Sequence, residues 1–198
     1  MSAPQVIATD LDGTLLGPGR VVTERTRSAL RAARERGVAV VAVTARPQRV
    51  FDEWTDLASV LDAAICVNGA VTFAPATRTV IAMRAMQPET VALAAKSLLS
   101  ALPSMRFAVE TGGEVVLEIS ASGVSKAAAL ADWCASRGVG PEGVVAFGDA
   151  PNDVPMLAWA GRSFAVANAH PEAVAAATGR CGSNADDGVA AAVESLLR

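Results

Sequence analysis

The sequence predicts an α/β protein built on a doubly wound parallel sheet, with a small α+β insertion. Three observations carry this expectation. Short apolar runs alternate with amphipathic helical stretches, polar clusters follow several of those runs directly, and the alternation breaks once near mid-chain and then resumes. An apolar run beside a helical stretch reads as a strand buried on both faces. The β-α-β-α-β order with right-handed crossovers joins such strands into one parallel sheet.

Val6-Ile7-Ala8 is the first run, and it leads into Asp10-Leu11-Asp12-Gly13-Thr14-Leu15-Leu16. Residues 23–36 place Thr26, Ala29, Leu30 and Ala33 on one stripe, which predicts a helix stopped by Gly37. Val38–Val43 is the second strand and ends in Thr44-Ala45-Arg46-Pro47. A helix is predicted from about Pro47, with proline in its first turn. Ala63–Val67 is the third strand and ends at Asn68-Gly69.

The pattern then changes. Residues 70–86 read as short strands around a turn at Pro75-Ala76-Thr77. Residues 88–102 read as a helix with Val91, Ala94, Ala95, Leu98 and Leu102 on one face. Two further strands are predicted near Met105–Glu110 and Glu114–Ile119, around Gly112-Gly113. A block of about 50 residues is too small to hold a comfortable core alone. The expected organisation is therefore a core domain of residues 1–74 and 123–198, with a cap of residues 75–122 packed on it.

From Gly123 the α/β alternation returns. A helix carries Ala127, Leu130, Ala131 and Cys134 on one face and stops at Gly138. The strand Val144–Phe147 ends in Gly148-Asp149-Ala150-Pro151-Asn152-Asp153. A short helix at 154–160, a strand at 163–166 and a helix from Pro171 follow, and the last helix puts Val189, Val193, Leu196 and Leu197 on one stripe.

Composition narrows the function classes. Of 198 residues 52% are hydrophobic and 19% charged, with a formal net charge of −3, so a real core is affordable and no basic surface dominates. The arginines are spread along helices rather than clustered, which argues against a nucleic-acid partner. No run of about 18 apolar residues predicts a membrane span. The first residues lack a basic region followed by an apolar one, so no signal peptide is expected and a cytoplasmic location is. Cys66, Cys134 and Cys181 have no C-x-x-C spacing and read as buried free thiols.

Ligands of open α/β sheets bind beyond the carboxyl ends of the strands. Three predicted strand ends carry polar residues: Asp10 and Asp12, Thr44, and Asp149 with Asp153. Gly13 permits a sharp turn that leaves backbone N–H groups free for an anion. Two carboxylates there suit a hard cation and a phosphate, one attacking phosphorus while the other gives and takes a proton. Thr44 offers a hydroxyl and a backbone N–H to a phosphate oxygen. Lys126 opens its helix, where a cation opposes the helix dipole, and Lys96 is the only other lysine. A lysine is a compact point charge suited to phosphate. Asp149 and Asp153 with Asn152 between them, and no His or Cys cluster, indicate Mg²⁺. Each feature alone also has a plainer reading: a polar turn for Asp10–Gly13 and for Asp149–Asp153, a helix cap for Thr44, a solvated side chain for Lys126. His170 reads as structural, and Trp54, Trp133 and Trp159 fall in predicted helices as packing residues.

Taken together, Asp10-Leu-Asp-Gly-Thr, Val43-Thr44-Ala45-Arg46-Pro47, Ser125-Lys126 and Gly148-Asp149-Ala-Pro-Asn-Asp153 resemble the four motifs of the haloacid dehalogenase superfamily. With Asn68-Gly69-Ala70 and Val166-Ala167-Asn168-Ala169, the chain is most similar to the Cof-type (subfamily IIB) phosphatases. Asp12 separates it from true dehalogenases, which lack an acid at that position. The resemblance implies a Rossmann-like core with Asp10 as nucleophile and Asp12 as acid and base. Thr44, Ala45 and Lys126 would hold phosphate, with Arg46, Asn68 and Gly69 near the substrate. Asp10, Asp149 and the Asp12 backbone carbonyl would bind Mg²⁺, with Asn152 and Asp153 in or near that shell. The implied substrate is a small phosphorylated metabolite, such as a sugar phosphate. Rival readings are a phosphomutase or phosphotransferase on the same scaffold, or a non-catalytic phosphometabolite binder; a binder has no need of both Asp10 and Asp12.

Two departures stand out. Family members usually have glycine where this chain has Ala45, and their cap is much longer; its middle is absent here around Gly112-Gly113, so either the cap is short or part of it is missing from this sequence. The edges predicted near Glu110–Ile119 would suit pairing across a homodimer.

Overall fold

The computed structural model describes residues 3–101 and 121–198. Eight strands form one sheet: β1 (Val6–Thr9), β2 (Ala39–Val43), β3 (Ala63–Cys66), β4 (Val71–Ala74), β5 (Thr79–Met83), β6 (Val144–Gly148), β7 (Arg162–Ala165) and β8 (Gly179–Arg180). Their order is β5-β4-β3-β2-β1-β6-β7-β8. The pairings from β3 through β8 are parallel, and β4 and β5 add antiparallel at one margin. The α/β doubly wound sheet is thus present, with a two-strand antiparallel extension: β4 falls within the expected core range of residues 1–74, while β5 falls in the expected cap range and yet continues the core sheet.

Alternation along the strands fills two cores. Ile7, Val40, Ala42, Val145 and Phe147 face one side, where helix α1 (Glu24–Glu35) and the last helix, Gly188–Leu196, pack. Val6, Ala8, Val41, Val43, Val144 and Ala146 face the other, against Leu130, Trp133 and Cys134 of α4 (Lys126–Ala135) and Met156 and Leu157 of α5 (Val154–Trp159). The α1 stripe is as the spacing predicts: Thr26, Ala29, Leu30 and Ala33 are its buried residues, and the Thr23 hydroxyl caps it by accepting from the Thr26 N–H. Cys66 and Cys134 are buried free thiols and Cys181 is half-buried; burial pushes all three up, Cys66 to about 12 and the others to about 11.

Two local expectations are corrected. The helix predicted from Pro47 is only a 3-10 turn, Gln48–Asp52, followed by the four-residue α2 (Thr55–Ala58). Trp54 therefore lies at a helix start rather than inside a helix, and its ring packs against Arg46. Its neighbourhood, Arg-Val-Phe-Asp-Glu-Trp-Thr, is rich in branched and aromatic residues that hold helix weakly. The helix predicted at 88–102 is α3 (Pro88–Ala101), and none of its residues is buried. The strands predicted near Met105–Glu110 and Glu114–Ile119 lie outside the described residues. No helix among the described residues is long and apolar enough to cross a membrane.

Candidate active site

The site follows from strand order. β1 is central, with β2 and β6 as its neighbours. Asp10, Thr44 and Asp149 each follow directly the last residue of one of these strands, so parallel pairing brings all three to one sheet edge. The Asp10 N–H continues the ladder by donating to the Phe147 carbonyl at 3.0 Å.

Asp10 is 5% exposed, and its Oδ1 accepts from Lys126 Nζ at 2.6 Å. Lys126 is 2% exposed and donates equally to Asp153 Oδ1 at 2.6 Å. It reaches this position because Ser125 caps α4, its hydroxyl accepting from the Ala128 N–H at 3.1 Å, so the first helical residue points into the sheet edge. Asp153 is fully buried, and its other oxygen accepts from the Asp149 and Ala150 N–H groups at 3.0 Å each. Its carboxylate therefore ties the Asp149 loop to the lysine. Asp149 is held from the opposite side by the Thr14 hydroxyl, which donates to Oδ1 at 2.7 Å.

One oxygen from each of Asp10, Asp149 and Asp153 lies within 4.8 Å of the others. Among the described residues Lys126 is the one cation bonded to this group, so three carboxylates share one positive charge. The imbalance shows in the acidities. Burial, opposed by Lys126 and reinforced by Asp153 and Asp149, pushes Asp10 up to about 7. Burial also raises Asp149. Burial works against the Lys126 charge, yet Asp10 and Asp153 outweigh it and its pKa rises. An oxygen-only cluster short of positive charge fits a hard divalent cation, and the donor set contains no soft ligand. Gly13 is required here: its φ is +81°, and a Cβ on it would stand 2.4 Å from Asp149 Oδ2.

The remaining predicted residues divide. Asp12 is half-exposed and pairs with Arg46 through two short bonds, Nε to Oδ2 at 2.5 Å and Nη2 to Oδ1 at 2.6 Å. That pairing raises the Arg46 pKa, and the guanidinium lies 5.1 Å over the Trp54 ring. Thr44 is buried, but its N–H donates to the Ile65 carbonyl and so continues the sheet; its Oγ1 accepts from the Arg46 N–H at 3.1 Å. Among the described residues, the Ala45 N–H donates to no other backbone group. Asn68 and Asn152 meet each other, Nδ2 of Asn152 donating to Oδ1 of Asn68 at 3.1 Å, and Asn152 is exposed rather than turned into the carboxylate cluster. Gly69 packs against the Ser125 carbonyl. Thr14 and Trp54 went unnoticed as site residues. Thr14 lies within the Asp10–Leu16 stretch, but nothing in the sequence announces its bond to Asp149 or the Trp54–Arg46 contact.

Comparison with known proteins places this architecture. The haloacid dehalogenase-like hydrolase family model matches residues 7–102 and 92–193, and the chain belongs to that family. The 5-amino-6-(5-phospho-D-ribitylamino)uracil phosphatase YbjI of Escherichia coli K12 is 38% identical over 103 residues, covering 52% of this chain and 38% of that protein. The pyridoxal phosphate phosphatase YbhA of the same organism is 26% identical over 268 aligned positions, covering 98% of each chain. The structure of the HAD subclass IIB sugar phosphatase BT4131 superposes with a TM-score of 0.76 at 21% identity, over 97% of this chain and 98% of that one. The protein is accordingly a hydrolase with the haloacid dehalogenase-like fold and a carboxylate cluster able to chelate a metal ion.

Proposed function

We propose that this hydrolase is a Mg²⁺-dependent phosphomonoesterase of the Cof type, acting on a small phosphorylated metabolite through an aspartyl-phosphate. The observation that carries the reading is the buried Asp10 carboxylate, bonded to Lys126 on one oxygen and grouped with Asp149 and Asp153. A lone binding site for phosphate has no use for three carboxylates; a nucleophile beside a cation has.

In this reading an Asp10 oxygen attacks phosphorus as the bond to the ester oxygen breaks, and Asp12 gives that leaving oxygen a proton. Water then attacks the aspartyl-phosphate, Asp12 takes its proton, and phosphate leaves. Thr44 Oγ1, the Ala45 N–H and Lys126 hold the phosphoryl oxygens. Asp10, Asp149 and the Asp12 carbonyl hold Mg²⁺, and Asp153 serves chiefly to seat Lys126 and the Asp149 loop. When bound, the cation offsets the negative charge that crowds nucleophile and phosphoryl group. Arg46, Asn68 and Gly69 border the substrate.

Residues 75–122 form the proposed cap, with β5 continuing the core sheet. Two observations support a short one. The family model matches in two segments that overlap at residues 92–102. The alignment to YbhA spans 268 positions against the 198 residues here. The two E. coli relatives are named for different phosphate esters, and a short cap excludes less, so the proposed specificity is broad across small phosphate esters.

Phosphate release from a panel of phosphorylated metabolites, with Mg²⁺ and with excess chelator, tests the reading. Mg²⁺-dependent release from several esters is expected. No release from any of them, or full activity in chelator, would refute it.

A further inference from the structure

Val67, Asn68 and Gly69 are three consecutive residues with positive φ, at 50°, 49° and 107°. They join the antiparallel strands β3 and β4, and a hairpin turn needs left-handed residues that Asn and Gly supply easily. Val67 does not fit that explanation. A β-branched residue in the left-handed region is an outlier that persists only where its surroundings over-determine it.

The surroundings are the site. The Val67 N–H donates to the Arg46 carbonyl at 3.0 Å, and the Asn68 N–H to the Thr44 carbonyl at 3.1 Å. With the Thr44 and Arg46 carbonyls both turned to this loop, the Ala45 N–H between them faces the other neighbour of β2, which is β1 with Asp10 at its end. Asn68 Oδ1 accepts from Asn152, in the loop between Asp149 and Asp153. A Cβ on Gly69 would stand 2.3 Å from the Ser125 carbonyl oxygen, so only glycine lets the cap of α4 come this close, and Lys126 is the next residue.

We propose that Val67–Gly69 is a positioning loop that sets the phosphate-binding side of the site: it aims the Ala45 N–H and seats Lys126. The proposal rests on the phosphatase reading above. Strain at Val67 is the consequence of donating two successive N–H groups to the Thr44–Arg46 segment while the chain turns back into β4.

The test measures kcat and KM for 4-nitrophenyl phosphate, direct binding of orthophosphate by calorimetry, and melting temperature. Val67→Gly relieves the strain and loosens the loop; it should melt no lower than wild type yet weaken orthophosphate binding and raise KM about tenfold, with kcat falling less. Gly69→Ala drives a Cβ into Ser125 and should lower kcat/KM about a hundredfold. Asn68→Gly and Asn68→Ala lose the same amide, but glycine accepts the backbone angle, so Asn68→Gly should retain the tighter orthophosphate binding. Should Gly69→Ala fail to fold, the other three variants decide. Folded Val67→Gly with orthophosphate affinity and KM within about twofold of wild type, or an indistinguishable Asn68 pair, would overturn the proposal. A wild-type protein that binds orthophosphate without releasing it from any ester refutes the phosphatase reading while the binding series still judges the loop; one that neither binds nor turns over sinks both.

Discussion

β1 and β5 are both short, apolar strands of one sheet, and they meet opposite fates. All four residues of β1 are buried and all five of β5 are exposed; Ile7 is 0% exposed and Ile81 52%. The two lysines repeat the contrast: Lys126 is buried between Asp10 and Asp153, and Lys96 is exposed on α3. Residue type does not separate them. Position does, because β1 has a strand on each side and a packed helical layer on each face, while among the described residues β5 has the single neighbour β4. Function gathers where coverage is complete, since water exclusion is what gives a few carboxylates and one ammonium strong fields.

The sharpest way to break the comparison is at Asp10. Asp10→Asn keeps the shape and removes the nucleophilic charge, so turnover should fall by at least about a thousandfold. Circular dichroism and orthophosphate binding should change little, since the amide still accepts from Lys126. Near-normal phosphate release would place the chemistry elsewhere.

The lysine pair comes next. Lys126→Ala removes the cation that Asp10 and Asp153 share and should lower kcat/KM by about a hundredfold or more, with a lower melting temperature because two buried carboxylates lose their partner. Lys96→Ala should leave both within the error of the assay. Equal effects would mean that burial is not what distinguishes the two lysines.

The isoleucine pair sharpens the comparison for stability alone. Ile7→Ala opens a cavity in the covered core and should cost about 3 kcal/mol in chemical unfolding, whereas Ile81→Ala should stay within about 0.5 kcal/mol. A large loss at Ile81 would show that β5 is covered in solution.

Much of the covered region was legible in the sequence, and the reason is physical. Strands buried on both faces must be continuously apolar, so Val6–Thr9, Ala39–Val43 and Val144–Gly148 announce themselves, and the polar residue after each then marks the sheet edge. The α1 stripe was legible because one helix face has one period. What stayed hidden are pairings between distant segments. Nothing local says that Arg46 grips Asp12, that Asp153 anchors Lys126 and the Asp149 loop, or that Asn68 meets Asn152. The sequence predicts that Thr44 offers its N–H to phosphate, but sheet pairing claims that group for Ile65, leaving the next residue's N–H. At the margin, β4 and β5 carry ordinary strand residues, and whether such a hairpin joins the core sheet or an insertion depends on contacts that no short window contains. The two-residue β8 has too little sequence to carry a pattern.

The last prediction uses the sign of the pKa shifts to separate the two regions. In the covered centre, burial raises Asp10 from 3.8 to about 7 and raises Asp149. Between those values the folded protein holds a proton that the unfolded chain has lost, so stability falls as pH rises from about 3.8 to about 7 and stays at the lower level above that. On the surface the sign is opposite. Glu24, held by Arg27, and Glu194, held by Arg25, lie below their ordinary value of 4.5, so any stability they add is present above that value and is lost as pH falls through their lowered pKa values. Those exposed pairs are weak and screened, and the buried centre should dominate. Metal-free protein should therefore melt at a higher temperature at pH 5 than at pH 8. Asp10→Asn should flatten that slope, while a Glu24→Gln and Glu194→Gln double variant should leave it. A divalent cation must displace the Asp10 proton to bind, so its affinity should rise with pH up to about 7 and level off beyond it. Saturating Mg²⁺ should raise the melting temperature more at pH 8 than at pH 5, reversing the metal-free trend. A metal-free melting temperature that climbs steadily from pH 5 to 8, with the same Mg²⁺ increment at both ends, would show that the carboxylates at the sheet edge are ionised without help and that the charge imbalance read at Asp10 is not felt by the fold.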